Sequence, residues 1–309
     1  MTVANPRIAV APHGADGWVG AALRAGGAEL VAPDAAEGLV WTTPDHAEDL
    51  RAVLDTAPGV RWVQLPWAGV EPFAEAGVLD QARLWTSGKG VYARPVAEHA
   101  LALSLAGLRD LKRYATAGAW GEQAGISLMG GRVTIFGGGG IAAELIGLLR
   151  PFDPHVTVVR RHPQAPMDGV DRVLGFPERY EALRGADVVV LALALTPETA
   201  GVVGAVEFEL MEPHAWLVNV ARGEHVVTDD LVEALRGDVI GGAGLDVTDP
   251  EPLPEGHALW SLPNCLITPH TANTEDMAIP LLTARLTENV RRFATGEDLI
   301  GLVDATVGY

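Results

Sequence analysis

From Arg132 to His270 the chain writes one pattern six times: a short apolar, β-branched run, then a turn or a stretch with helical spacing. The runs are RVTIFG (from Arg132), HVTVVR (from His155), ADVVVLALAL (from Ala186), AWLVNVA (from Ala215), GAGLDV (from Gly242) and CLITPH (from Cys265). Such alternation points to a parallel sheet with crossover helices and away from all-β or all-α folds. A shorter set precedes it: RIAVAP (from Arg7), GLVWTT (from Gly38), VRWVQLP (from Val60) and ARLWTSG (from Ala82). Helices are expected between these near residues 15 to 26 and 45 to 57.

Between the two sets lies PVAEHALALSLAGLRDLKRYATAG, residues 95 to 118. Its apolar positions recur at three and four, and Pro95 suits a first helical turn, so one long helix is expected. A second helix-like run covers Ala278 to Thr295, and the tail after it is too short for a core of its own. The expected fold is α/β, with two doubly wound parallel-sheet domains. A Rossmann-type domain takes residues 95–280, and a smaller flavodoxin-like domain takes residues 1–94 and 281–309.

The charge balance limits the partners. Lysine and arginine number 22 against 40 acids, a net charge of −18, and no basic run occurs. A nucleic-acid or anionic membrane surface is therefore not expected, and an anionic ligand needs a local basic pocket. The lone cysteine, Cys265, excludes a disulfide framework and points to a reduced compartment. The start, MTVANPRIAV, lacks the basic region and apolar core of a signal peptide, and no uncharged apolar stretch reaches the ~18 residues of a membrane span. The expected location is cytoplasmic.

FGGGGIAAEL, residues 136 to 145, follows a strand and opens a helix, the context of a dinucleotide fingerprint. In one register Gly137, Gly139 and Ala142 form G-x-G-x-x-A, with Gly140 and Ile141 between; four consecutive glycines leave that register open by one. Such glycines let backbone N–H groups and a helix N-terminus approach a pyrophosphate. Arg160 stands at the end of the next strand, where an acid ordinarily binds the adenosine ribose, and Arg161 follows. Guanidinium groups pair with a 2′-phosphate that an aspartate would repel. NADP(H) is therefore expected in preference to NAD(H).

Three segments follow the late strands: NVARGE with Arg222, DPEPLP with Glu251 and TPHTAN with His270. Residues just past the carboxyl ends of strands in an open α/β sheet line the ligand crevice. With WVQLPWAGVEPF (from Trp62), GVYARPVAEHALAL (from Gly90), LALTPETAGVV (from Leu193), LVNVARGEHVV (from Leu217), GGAGLDVTDPEPLP (from Gly241) and LWSLPNCLITPHTA (from Leu259), the chain resembles the D-isomer-specific 2-hydroxyacid dehydrogenase family, which includes glyoxylate and hydroxypyruvate reductases. The likeness spans nearly the whole chain. It implies reduction of a small 2-oxo acid (glyoxylate, hydroxypyruvate or pyruvate class) to the D-2-hydroxy acid, with a homodimer formed through the nucleotide domain.

That resemblance assigns Arg222 to the substrate's carboxylate and carbonyl, His270 to proton transfer and Glu251 to the histidine. Chemistry supports the same roles. Reducing a 2-oxo acid makes the carbonyl oxygen anionic, so a histidine donor, oriented by a carboxylate that favours imidazolium, fits the need. Arginine's planar fork matches a carboxylate as lysine's point charge does not. Pro250 and Pro252 restrict the backbone around Glu251 and would preset its direction. By resemblance, the backbone of Ala68, Gly69 and Val70 meets the substrate carboxylate, Asp246 the nicotinamide carboxamide, and Thr196 and Val220 lie along the cofactor. His99 is expected in packing or at a subunit interface, and Arg94 beside substrate or pyrophosphate. Trp41, Trp67 and Trp85 are candidates for the substrate pocket, with core packing expected of at least two. No metal site is expected. A reading from another class, a dinucleotide-sensing corepressor-like interaction module, has no appended motif or disordered tail to support it.

Overall fold

The computed structural model describes residues 5–44 and 46–306. The first four residues, read above for a leader, and Asp45, at the head of an expected helix, lie outside the described residues. The chain divides between Tyr92 and Ala93 and again between Asn273 and Thr274.

The first unit contains β1 (Arg7–Ala11), α1 (Trp18–Ala25), β2 (Glu29–Leu30), β3 (Gly38–Trp41), α2 (Ala47–Asp55), β4 (Trp62–Gln64), α3 (Glu71–Glu75) and β5 (Leu84–Thr86). Its strands pair in parallel in the order β2-β1-β3-β4-β5, the flavodoxin-like arrangement. Every residue of β3 and β4 is buried, as strands covered by helices on both faces require. Trp41 and Trp85 pack into the core on one side with Leu39, Leu50 and Phe73. Trp62 packs with Ile8 and Val10, and its Nε1 donates to Thr86 Oγ1 at 2.8 Å.

The second unit runs α4 (Ala93–Leu108), α5 (Leu111–Ala115), β6 (Arg132–Phe136), α6 (Gly140–Leu149), β7 (His155–Val159), β8 (Arg172–Leu174), α7 (Arg179–Leu183), β9 (Val188–Leu191), α8 (Ala205–Leu210), β10 (Trp216–Asn219), α9 (Thr228–Arg236), β11 (Gly242–Leu245), α10 (Ala258–Ser261) and β12 (Cys265–Ile267). Its sheet is parallel in the order β12-β11-β10-β9-β6-β7-β8. Counted from β6, that is the Rossmann order with one strand added, and the winding reverses between β6 and β9. Val188 to Leu191 are fully buried and β-branched in all but the last position, which suits a central parallel strand. In β11 two glycines make room for neighbours. A Cβ at Gly242 would stand 1.7 Å from Cζ3 of Trp216, and one at Gly244 would stand 3.0 Å from Cβ of Leu103 on α4.

α11 (Glu275–Thr295) belongs to the first unit, where Leu286 and Val290 pack on Val19, Ala22 and Leu23 of α1. The expected division at residues 280 and 281 lies inside this helix. The helix expected over residues 95 to 118 is a break instead: α4 ends at Leu108, and Asp110 takes a left-handed φ of 52° before α5. Aspartate tolerates that conformation better than most residues. Two short strands, β2 and β8, carry no apolar run long enough to be read from sequence. Among the described residues no helix is long and apolar enough to cross a membrane.

Candidate active site

The glycine loop sits where the sheet reverses. Gly137 has φ 111°, and a Cβ there would lie 2.1 Å from the carbonyl oxygen of Ala192, just past β9. Only glycine allows that turn and that approach. A Cβ at Gly139 would meet nothing within 4 Å, so the chain leaves open space at the head of α6. Gly139 is the N-cap, no side chain caps the helix, and no acid occupies its first turn. The amides of Gly140, Ile141 and Ala142 therefore begin the helix without intrahelical acceptors, and Ala142 is buried. This cradle fits the pyrophosphate of a dinucleotide.

Arg160 follows β7 beside that loop. Its Cδ would lie 2.7 Å from a Cβ at Gly138, one Nη donates to the Ala165 carbonyl, and its buried Nε has no protein partner. Arg161 faces Glu198 at 3.7 Å, both half exposed or more. Thr196 lies in the loop after β9, with its N–H donating to Thr199 Oγ1 at 2.8 Å, and Val220 follows β10, the neighbouring strand. Arg94, near the start of α4, has its Nε 3.8 Å from Glu144 of α6, on the helix that opens at the glycine loop.

Arg222, Glu251 and His270 follow β10, β11 and β12, three adjacent strands. The first two loops touch through their backbones. A Cβ at Gly223 would stand 2.0 Å from the carbonyl carbon of Thr248, so only glycine lets the arginine turn lie against the glutamate loop. Asn219 Nδ2 donates to the Arg222 carbonyl at 2.8 Å, and Arg222 Nη1 donates to Ala221 O at 2.8 Å. Glu251 Oε2 accepts the Thr248 N–H at 3.3 Å, and its Oε1 lies 2.7 Å from His270 Nδ1. With Nδ1 committed to the carboxylate, Nε2 is the nitrogen left to carry a transferred proton.

Asp246, expected along the nicotinamide, turns its carboxylate into the loop that bears His270. It is 2% exposed. Oδ1 accepts Thr268 Oγ1 at 2.6 Å and Thr271 N–H at 2.9 Å, and Oδ2 accepts Ala272 N–H at 3.0 Å. Burial pushes this carboxyl up, but the bonds from His99, Thr268, Thr271 and Ala272 outweigh it and hold it at about 2. Since the Thr268 hydroxyl gives its hydrogen to Asp246, His99 Nε2, 2.9 Å from Thr268 Oγ1 and 3.4 Å from Asp246 Oδ1, donates to the pair. His99 thus belongs to the support of the His270 loop. Sequence carried one hint of this set, a histidine on the apolar helix, and no hint of its partner.

In the first unit, Ala68, Gly69 and Val70 form the turn into α3. Their N–H groups donate to no other group among the described residues. The turn is held from behind: Tyr92 donates its hydroxyl hydrogen to Pro66 O at 3.1 Å, and Gly88 N–H donates to Trp67 O at 2.8 Å. Trp67 is 37% exposed, while Trp41 and Trp85 are core residues.

A family model described as "D-isomer specific 2-hydroxyacid dehydrogenase, NAD binding domain" matches residues 99–272. An uncharacterized protein of Corynebacterium melassecola is 38% identical over 262 residues, covering 82% of this chain and 86% of that one. Glyoxylate/hydroxypyruvate reductase A of Photorhabdus laumondii is 29% identical over 283 residues, 88% of this chain and 87% of its own length. Among solved structures, a D-isomer specific 2-hydroxyacid dehydrogenase from Xanthobacter autotrophicus Py2, in complex with NADPH and MES, superposes with a TM-score of 0.85 at 27% identity, covering 99% of this chain and all of that one. A dinucleotide cradle at the sheet reversal and an acid–histidine pair on adjacent strand ends accord with these matches. The chain belongs to the D-isomer specific 2-hydroxyacid dehydrogenase family and is an NAD(P)-dependent oxidoreductase.

Proposed function

We propose that the protein reduces a small 2-oxo acid of the glyoxylate, hydroxypyruvate or pyruvate class to the D-2-hydroxy acid, with NADPH preferred to NADH. The observation that carries this is the 2.7 Å contact between His270 Nδ1 and Glu251, in a loop that lies against the Arg222 turn. When bound, the dihydronicotinamide supplies the hydride for C2. His270 gives its Nε2 proton to the carbonyl oxygen as that oxygen becomes anionic, and Glu251 fixes its ring through Nδ1. Arg222 holds the substrate carboxylate and carbonyl. The open amides of Ala68, Gly69 and Val70 are the first unit's candidate donors to a carboxylate, and Gly137, Gly139, Gly140, Ile141 and Ala142 receive the pyrophosphate. Thr196 and Val220 flank the cofactor, and Asp246 acts by holding the His270 loop.

Three points support NADPH: no acid ends β7, the Arg160 Nε is buried and unpaired, and the Xanthobacter relative was solved with NADPH. A cytoplasmic homodimer is the setting we propose. The test is oxidation of NADPH and NADH by purified protein with 2-oxo acids of graded size, products resolved on a chiral column. Turnover of the smallest acids, a D product and a higher kcat/KM with NADPH are expected. His270→Gln should lower kcat about 10² to 10⁴-fold. No oxidation with any acid, or near-normal turnover by the variant, would contradict the mechanism.

A further inference from the structure

Behind the Arg222 turn sits a histidine that no step above uses. His225 is 0% exposed, yet both of its ring nitrogens meet backbone carbonyls: Nδ1 lies 3.0 Å from Thr199 O, and Nε2 lies 3.2 Å from Leu193 O. Those carbonyls mark the two ends of the segment that carries Thr196. The same turn grips the following residues through its main chain, with Gly201 N–H donating to Glu224 O at 2.8 Å and Val203 N–H to His225 O at 3.0 Å. His225 N–H in turn donates to Arg222 O at 3.3 Å. The imidazole therefore stands between the arginine turn and a loop at the carboxyl end of β9.

A side chain with only space to fill would need no nitrogen here. Burial lowers the ring's affinity for a second proton, as does the neighbouring Arg222, while the Thr199 and Leu193 carbonyls and Glu224 favour it; the net direction is down. The neutral ring has one N–H to give. Thr199 O already accepts Val202 N–H at 3.3 Å, whereas Leu193 O has no other donor among the described residues. Nε2 is the nitrogen whose proton would satisfy an otherwise unpaired carbonyl.

We propose that His225 is a positioning residue for the dinucleotide: its Nε2–H ties Leu193, and with it the 193–199 segment, to the turn that carries Arg222. This rests on the cofactor site proposed above. Because the tie shapes the wall and touches no reacting atom, its loss should appear in cofactor affinity more than in turnover.

NADPH binding, followed by quenching of tryptophan fluorescence, and steady-state kinetics would be measured on the wild type, His225→Leu, His225→Gln and His225→Asn. His225→Leu should raise the Kd and KM for NADPH about tenfold, the loss expected of one buried hydrogen bond, with a much smaller fall in kcat at saturating NADPH. Glutamine, whose amide nitrogen reaches the Nε2 position, should restore most of the affinity, and asparagine should not. Unchanged NADPH affinity in a folded His225→Leu protein, or equal affinity in the glutamine and asparagine variants, overturns the proposal. The second comparison stands even if the leucine variant does not fold. Wild type that binds neither NADPH nor NADH would instead end the cofactor assignment itself.

Discussion

At the scale of single residues, the candidate proton donor is held in a conformation it would not choose. His270 has φ 48°, a left-handed geometry that costs a residue with a Cβ roughly 1–2 kcal/mol. Asp246 maintains it. Its main-chain carbonyl accepts the His270 N–H at 2.8 Å while its carboxylate takes Thr268, Thr271 and Ala272 on either side. Asp246→Asn would turn an amide NH₂ toward one of these donors. A loss of about 2 kcal/mol of stability is expected, with a kcat below the wild type, because the His270 ring is no longer fixed. The pH dependence has a definite sign. A folded value of about 2 lies below the ordinary 3.8, so this aspartate stabilises the fold above pH 3.8, and the contribution fades as pH falls toward 2. Urea denaturation of both proteins at pH 7 and near pH 3 checks this: the gap between them should narrow in acid, and a constant gap would contradict the account. The placement of Arg222, Glu251 and His270 past three adjacent strands was legible because each follows a strand in a recognisable segment. The Asp246 anchor was not, since two of its acceptor bonds go to backbone amides more than twenty residues away, and nothing in side-chain identity marks them.

At the scale of elements, the central strands were legible where burial on both faces demanded apolar, β-branched runs, as in Val188 to Leu191. The break after Leu108 was hidden because the apolar spacing continues across it, while the left-handed turn at Asp110 depends on tertiary surroundings. Glycine is similarly two-sided. Gly242 in β11 faces the Trp216 ring at a distance no Cβ tolerates, whereas a Cβ at Gly147 in α6 would meet nothing within 4 Å. The same substitution should therefore act in opposite directions. Gly242→Ala should cost more than about 2 kcal/mol through overpacking against Trp216, and Gly147→Ala should stabilise by about 0.5–1 kcal/mol by favouring the helix. Urea midpoints of the two variants decide it. Destabilisation of similar size in both would mean that the open face of α6 is covered by something else.

At the scale of the whole molecule, α5 and the segment after it carry large apolar side chains that one copy does not bury. Trp120 is 99% exposed, Met129 63% and Leu111 51%. Leu111, Ala115, Trp260 and Leu266 line an open apolar groove. Tryptophan is costly to leave wholly in water, and clustered exposed apolar groups mark association surfaces more often than bare monomer surface. The homodimer proposed above gives this segment a purpose, since a two-fold axis presents the same patch twice and lets each copy cover the other. Sedimentation of the wild type at micromolar concentration should then give twice the chain mass. Trp120→Glu combined with Met129→Glu should shift it to one chain mass by placing like charges in the contact, at positions exposed within a single copy. A wild type that sediments as one chain, or a double variant that keeps the dimer, would show that this segment faces solvent in the working protein.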